Sequence, residues 1–328
     1  QIPNLTVPES PVGDEDKGET IEFGATKNPE FDFEPKDHIE LMENLGMVNL
    51  EAGAKVTGSG FYYLTGMGAL LEMALNRYAL DVVMKRGYSP TITPDLARNS
   101  VMVGAGFVPR GNESNTFEID GQDLSLIATS EITLIGMFQN ETLDTSKLPI
   151  KLAGQSHCFR SERAHGALTR GIYRVHQFSK TEMVVVCTAE QAEAIHFEMR
   201  EIEQEIFDSL EIPYRVIEIA TGDLGAPAYR KFDLEAWMPG RKVGEKIGSY
   251  GEITSTSNCL EFQARRLNIK HKSGSGKPVF ASTLNGTAVS TARALIALVE
   301  NHQQADGSVN IPKVLQPYVN GQTVITPA

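Results

Sequence analysis

Apolar positions along the chain fall into three helical stripes set between blocks of strand-like sequence. The first stripe, Leu71, Leu75, Tyr78, Ala79, Val82 and Val83, predicts a helix that stops near Gly87, where a left-handed cap belongs. The second runs over residues 189–210. Ala192, Ile195, Met199, Ile202, Ile206 and Leu210 share one face there, and Thr188 with Gln191 makes a capping box at the start. The third follows Asn285-Gly286-Thr287 and carries Val289, Ala292, Ile296 and Val299. A short helix suits residues 36–44, after Pro35. Strand-like runs cover 88–93, 116–119, 150–156, 173–178, 183–187, 214–219, 230–237 and 279–283. Strands in blocks, with helices between the blocks, predict an α+β fold on an antiparallel sheet rather than a doubly wound parallel one.

Residues 1–35 read as an extended lead-in, punctuated by Pro3, Pro8, Pro11, Gly13, Gly18, Gly24 and Pro29 and solvated by Asp14-Glu15-Asp16. This divides the chain into a lead-in over 1–40 and a folded body over 41–328. At 41% hydrophobic and 22% charged residues the chain is neither disordered nor fibrous. Its longest apolar runs, 183–187 and 294–299, are far short of the ~20 residues of a membrane span. Cys158, Cys187 and Cys259 are scattered without a CxxC pair, which excludes a disulfide framework or zinc ribbon and fits a reducing compartment. A net charge of −12 argues against nucleic-acid binding through the whole surface. Two local basic tracts, 160–180 and 265–277, read by composition alone as solvated faces.

Several nucleotide and hydrolase signatures fail. Gly274-Ser275-Gly276-Lys277 resembles the end of a phosphate loop, but Pro278 stands where Ser or Thr is required, so a hairpin tip is the better reading. Gly58-Ser59-Gly60 lacks the later glycine and preceding strand of a dinucleotide fingerprint. There is no HExxH or GxSxG, and the histidines are not at metal-ligand spacing.

What survives is Cys158-Phe159-Arg160-Ser161-Glu162, then Thr169-Arg170-Gly171, then Arg174-Val175-His176-Gln177-Phe178, ending at Lys180-Thr181-Glu182. Arg160 and Glu162, two apart on a predicted strand, share a face. A return strand would bring Phe178 and Glu182 back beside them. Such a hairpin gathers arginines, carboxylates and one ring in a patch suited to a purine and its phosphates. Taken alone, it reads better as an ordinary surface hairpin with cross-strand ion pairs.

Phe159-Arg160-Ser161-Glu162 together with Arg174-Val175-His176-Gln177-Phe178 resembles motif 2 of the class II aminoacyl-tRNA synthetases, in its seryl form. The tract from Asn285-Gly286-Thr287 to Arg293, continued over 294–300, looks like motif 3, and residues 70–94 look like motif 1. Thr129-Ser130-Glu131, Asp233-Leu234-Glu235-Ala236-Trp237, Ser257-Asn258-Cys259 and Phe262-Gln263-Ala264-Arg265-Arg266 also match, in order, over nearly the whole chain. The resemblance implies a class II synthetase catalytic domain, with an antiparallel sheet flanked by helices, dimerising through motif 1. It implies L-serine, ATP and serine tRNA as substrates, Mg²⁺ as cofactor and no membrane. The family's N-terminal helical tRNA-binding arm would precede Ile2, so the chain is expected to be a catalytic core without it.

By the same resemblance Arg160, Glu162 and Arg293 form the catalytic set. Arg160 would hold the α-phosphate and reach the serine carboxylate, and Glu162 would contact adenine or support that arginine. Phe178 would stack on adenine, Arg293 would lie on its opposite face, and Arg170 would steady pyrophosphate. Glu252 and Ser255 match the Mg²⁺ and ATP segment. Thr129, Glu131, Glu182, Asn285 and Thr287, with Arg160, match the serine pocket. A buried acceptor facing the substrate hydroxyl can reject alanine by ~10⁴ or more.

The chain departs from the family pattern in three places. Thr287 replaces the usual bacterial serine, Ala288, Ser290 and Ala292 replace glycines, and the segment between Arg160 and Arg170 is short. The short segment, with 228–232 and 303–308, looks most like mitochondrial seryl enzymes and suggests the mitochondrial matrix, with the cytoplasm as alternative. The rival readings are a non-catalytic paralogue acting as a binding subunit, and a ligase loading an amino acid onto a carrier protein. The latter's zinc-binding cysteine is missing from motif 3.

Overall fold

Eight strands, numbered in chain order, form the main sheet of the computed structural model, which describes residues 2–107, 115–162, 171–244 and 246–327. They are β1 Glu19–Phe23, β2 Ser89–Ile92, β3 Ile150–Phe159, β4 Gln177–Cys187, β5 Tyr214–Glu218, β6 Arg230–Val243, β7 Lys246–Leu260 and β8 Ser282–Ser290. Their spatial order is β1-β5-β6-β7-β8-β4-β3-β2. Neighbours run antiparallel except β2, which lies parallel to β3. The α+β, antiparallel expectation is met. Edge strand β1 comes from the region read as a lead-in.

The helices are α1 His38–Asn44, α2 Leu50–Thr57, α3 Met67–Lys85, α4 Asn99–Ala105, α5 Glu131–Gly136, α6 Ala189–Ser209, α7 Phe262–Leu267 and α8 Thr291–Asn301. Helices α3, α6 and α8 cover one sheet face in a continuous core that includes Leu71, Leu75, Met183, Met199, Ile253 and Leu295. On the other face, Leu134 and Ile135 of α5 and Ala264 and Leu267 of α7 pack on Val184 and Val186. The distal half of β4 is thus buried on both sides, which is why it reads as a continuous apolar run instead of alternating. Both members of the capping box before α6 make their bonds, and Gly87 takes a φ of +85° after α3.

Four local expectations are corrected. Residues 173–176 are not strand, and β4 runs unbroken from Gln177 through the separate 183–187 run. Residues 116–119 contribute one isolated bridge, Glu118 with Ser125, and no strand. Asn285, Thr287 and Val289 lie on β8, and α8 starts only at Thr291. The apolar spacing of 289, 292, 296 and 299 reads through the strand–helix junction because both sides face buried surroundings. Finally, 279–283 divides into a short strand at Val279–Phe280 and the start of β8. The glycine tract at 274–276 does sit at a hairpin tip, between Lys270–Lys272 and Val279–Phe280.

Candidate active site

The part of the second sheet face left open by α5 and α7 floors a cleft of about 580 Å³ whose lining includes Arg160, Glu162, Asp233, Glu252 and Arg293. Strand alternation puts Phe178, Lys180 and Glu182 of β4 on this face. Glu182 pairs with Thr287 of β8 and Val184 with Asn285, so those two β8 residues face the same way. This local geometry follows from two-residue periodicity.

Arg160 and Glu162 do not sit side by side on a strand, because β3 ends at Phe159. There the ladder is diverted. Arg160 N–H donates to the His176 carbonyl at 2.9 Å, but the Arg160 carbonyl meets the His176 ring at Nδ1, 2.8 Å away. The His176 amide instead donates to Gly60 at 2.9 Å. Glu162 turns at a φ of +50° and its carboxylate lies 3.7 Å from Arg174. The Arg160 guanidinium lies over the Phe178 ring, 5.2 Å from its centroid. Arg170 falls outside the described residues.

Glu252 and Ser255 are three apart, a spacing that places residues on opposite faces of a regular strand. A β-bulge reverses this. Thr254 pairs with Leu234 but Glu252 pairs with Glu235, so Ile253 is an extra residue. Ile253 and Thr254 both turn into the core, while Ser255 and Glu252 oppose Asp233 and Glu235 and face the cleft. Arg293, near the start of α8, makes an ion pair with Glu252 Oε2 at 3.2 Å and donates to its backbone carbonyl at 3.1 Å. Its guanidinium also lies 4.7 Å from the Tyr173 ring centroid, whose hydroxyl donates to the same carbonyl at 3.1 Å.

A second cluster lies beside β8. Asn285 Nδ2 donates to Glu131 Oε1 at 2.9 Å, and Gln263 Nε2 donates to the same oxygen at 2.6 Å. Gln263 is itself held by the Thr283 hydroxyl, which donates to Oε1 at 2.6 Å. Thr129 Oγ1 accepts from the Glu131 amide at 3.3 Å, closing the turn into α5. Thr287 Oγ1 donates to Glu182 Oε2 at 3.1 Å, and Lys180 Nζ lies 2.6 Å from that oxygen. These four residues therefore form two bonded pairs, Glu131 with Asn285 and Glu182 with Thr287. Ala288 is the bulge residue between Thr287 and Val289 and, like Ala292, is buried without displacing this arrangement.

Burial raises the Glu131 carboxyl to about 7, with nearby Glu182 adding to it. Burial likewise lifts Asp233, and Lys231 draws it only part of the way back. Glu252 differs. Crowding would push its carboxyl up, but Arg293, Lys231 and Arg160 outweigh that and hold it below the ordinary carboxylate range. The cleft therefore holds carboxylates in opposed states, which is common at functional sites.

Sequence reasoning missed Asp233, Lys180, Tyr173 and Gln263 as site residues. The first two had an available signal, since each alternates with a neighbouring glutamate on a strand. Gln263 lay within the matched run Phe262-Gln263-Ala264-Arg265-Arg266 but without a role, and Tyr173 had no signal, because its partners lie far along the chain. Among the described residues no group of three or more His, Cys, Asp or Glu is arranged to hold a metal by itself. No helix among them is long and apolar enough to cross a membrane.

A family model for the tRNA synthetase class II core domain (G, H, P, S and T) matches residues 115–302. The serine–tRNA ligase of Rubrobacter xylanophilus is 55% identical over 100% of this chain and 76% of its own length. That of Treponema denticola is 53% identical over 97% of this chain and 75% of its own. Among solved structures, seryl-tRNA synthetase from Pyrococcus horikoshii complexed with ATP superposes with a TM-score of 0.93 at 40% identity, covering 100% of this chain and 76% of that one.

Proposed function

This chain belongs to the seryl-tRNA synthetases of class II, and from that premise we propose that it activates L-serine with ATP and transfers the seryl group to the 3′ end of serine tRNA. The observation that carries the reading is the pair of clusters on one sheet face: Arg160, Phe178, Glu252 and Arg293 for the nucleotide, and Glu131, Asn285, Glu182 and Thr287 for the amino acid.

In the first step an oxygen of the serine carboxylate bonds to the α-phosphorus, and the bond to the bridging oxygen breaks, releasing pyrophosphate. The carboxylate is already ionised, so alignment and charge neutralisation matter more than a general base. Arg160 serves both by meeting the α-phosphate and the carboxylate, with Glu162 lining the same cleft. Phe178 and Arg293 flank the adenine, and the family resemblance gives Arg170 the role of steadying the leaving pyrophosphate. Thr129, Glu131, Glu182, Asn285 and Thr287 orient serine by its amino and hydroxyl groups. In the second step a terminal ribose hydroxyl takes the seryl carbonyl and AMP leaves.

Mg²⁺ fits the face shared by β6 and β7. Glu252 and Ser255 offer oxygen donors, and the buried Oδ1 of Asp233 has no hydrogen-bond partner among the described residues. These are donors for a hard cation that keeps part of its water shell. When bound there, the ion supplies charge neutralisation for the phosphates.

A homodimer through motif 1 is supported by exposed apolar side chains on α3 and β2: Leu70, Met73, Met84 and Ile92, the last 91% exposed on an edge strand. Sedimentation velocity tests this, with a monomer at micromolar concentration counting against it.

Serine-dependent ATP–pyrophosphate exchange tests the activity, with alanine, threonine and glycine alongside. Exchange with serine alone, lost in Arg160→Ala, is the expected result. No exchange from folded protein would replace this reading with a non-catalytic paralogue.

A further inference from the structure

Helix α6 buries Ala192, His196, Met199, Glu203 and Phe207 toward the sheet, so two polar side chains seven residues apart lie within an apolar stripe. Both reach β7. Thr254 Oγ1 donates to Glu203 Oε2 at 3.0 Å, and His196 Nε2 lies 3.1 Å from the Thr256 carbonyl oxygen. Burial lowers the His196 ring to about 4, so it is neutral and donates this bond.

Glu203 is 0% exposed, and its Oε1 has no hydrogen-bond partner among the described residues. Burial, with Glu182 and Asp233 adding to it, raises its carboxyl well above the ordinary range. An unpartnered buried polar atom carries a desolvation cost that a leucine at this position would not. What the carboxyl contributes must therefore lie in its bond to Thr254.

Thr254 adjoins the extra residue Ile253, and the bulge there is what turns Glu252 and Ser255 to one side. A strand that relaxed to regular alternation at this point would rotate Glu252 away from the cleft. His196 secures β7 two residues further on, and Arg293 and the Tyr173 hydroxyl hold the Glu252 carbonyl, so the Thr254 hydroxyl is the anchor next to the bulge on its C-terminal side.

We propose that Glu203 is a positioning residue for the ATP site: from the far face of the sheet it holds Thr254, and so fixes the bulge that aims both Glu252 and Ser255 into the cleft. This rests on reading Glu252 and Ser255 as Mg²⁺ and ATP ligands. The serine pocket is carried by β4, β8 and α5, so the anchor acts on ATP and leaves serine alone.

The test is ATP–pyrophosphate exchange by the full chain with ATP and serine varied separately. Glu203→Leu raises the ATP KM about tenfold, the equivalent of one lost hydrogen bond and its aligned ligands, and holds the serine KM within about twofold. Glu203→Gln, neutral and able to accept from Thr254, keeps the ATP KM within about twofold. Thr254→Val removes the hydroxyl at constant shape and reproduces the Glu203→Leu effect, which carries the test if the leucine variant does not fold. Equal changes in both KM values, no change in either, or a glutamine variant as impaired as the leucine one each overturn the proposal. Glu252→Gln is measured alongside. If it leaves the ATP KM unchanged, the ligand reading fails and takes the proposal with it. If it raises the ATP KM while Glu203→Leu and Thr254→Val do not, the anchoring alone is wrong.

Discussion

Lys180 Nζ lies 2.6 Å from Glu182 Oε2 on the cleft face of β4, with the two side chains 7% and 3% exposed. Two residues apart on one strand, they are same-face neighbours, and Thr287 donates to the same carboxylate oxygen. Removing the lysine leaves a buried carboxylate without its counter-charge. Lys180→Met is expected to cost ~3–5 kcal/mol of stability, and adding Glu182→Gln to recover most of it. Urea unfolding checks this; equal stability of the single and double variants would show that the pair is not charge-compensating.

Glu131 supplies a pH dependence of definite sign. Its carboxyl is raised from the ordinary 4.5 to about 7 in the fold, so between those values the folded state binds more protons than the unfolded one. Stability therefore falls as pH rises through this window, by about 3 kcal/mol from this group. The contribution is complete below the window and gone above it. Asp233, raised by burial too, adds in the same direction. Thermal melts of the unliganded protein from pH 5 to 8 should show this slope, and Glu131→Gln should flatten it. An unchanged slope would mean that Glu131 titrates normally.

Asp233 predicts a metal effect. Its unpartnered Oδ1 faces the same side as Glu252 and Ser255. Asp233→Asn is expected to raise the Mg²⁺ concentration for half-maximal exchange about tenfold, with the serine KM unchanged. A Mg²⁺ titration that superimposes on the wild type would remove Asp233 from the cation site.

Phe178 separates the two substrates in the same direction. Its ring carries the Arg160 guanidinium on one side and, on the proposed reading, adenine stacking. Phe178→Leu should raise the ATP KM about threefold to tenfold, the range of one aromatic or cation–π contact, and leave the serine KM alone. Steady-state exchange kinetics measure both.

Much of the candidate site could be read before the fold was seen. Phe178, Lys180 and Glu182 alternate on one strand, and Asp233 and Glu235 do the same on another. Thr129-Ser130-Glu131, read only as a match to the family, turns into α5. The shared orientation of Glu252 and Ser255 could not be read from spacing, which gives the opposite answer. Nor could the displacement of Glu162 from the end of β3, which depends on the His176 ring and Gly60.

The sequence by itself determined the helices α3 and α6, the capping box at Thr188 and Gln191, the cap at Gly87 and the antiparallel character of the sheet. These depend on contacts between residues one to four apart, or on the simple pattern of strand blocks, so local spacing carries them. The tertiary structure alone decided where β3 stops, that Asn285 and Thr287 ride on a strand, and that a bulge turns Glu252 toward the cleft. It also decided the raised Glu131 carboxyl and the lowered Glu252 one. Each of these depends on a partner brought in from far along the chain: Gly60 for His176, Glu203 for Thr254, Glu182 for Glu131 and Arg293 for Glu252. Hydrogen bonding and desolvation act at ångström range in space, and sequence distance says nothing of which groups will meet there.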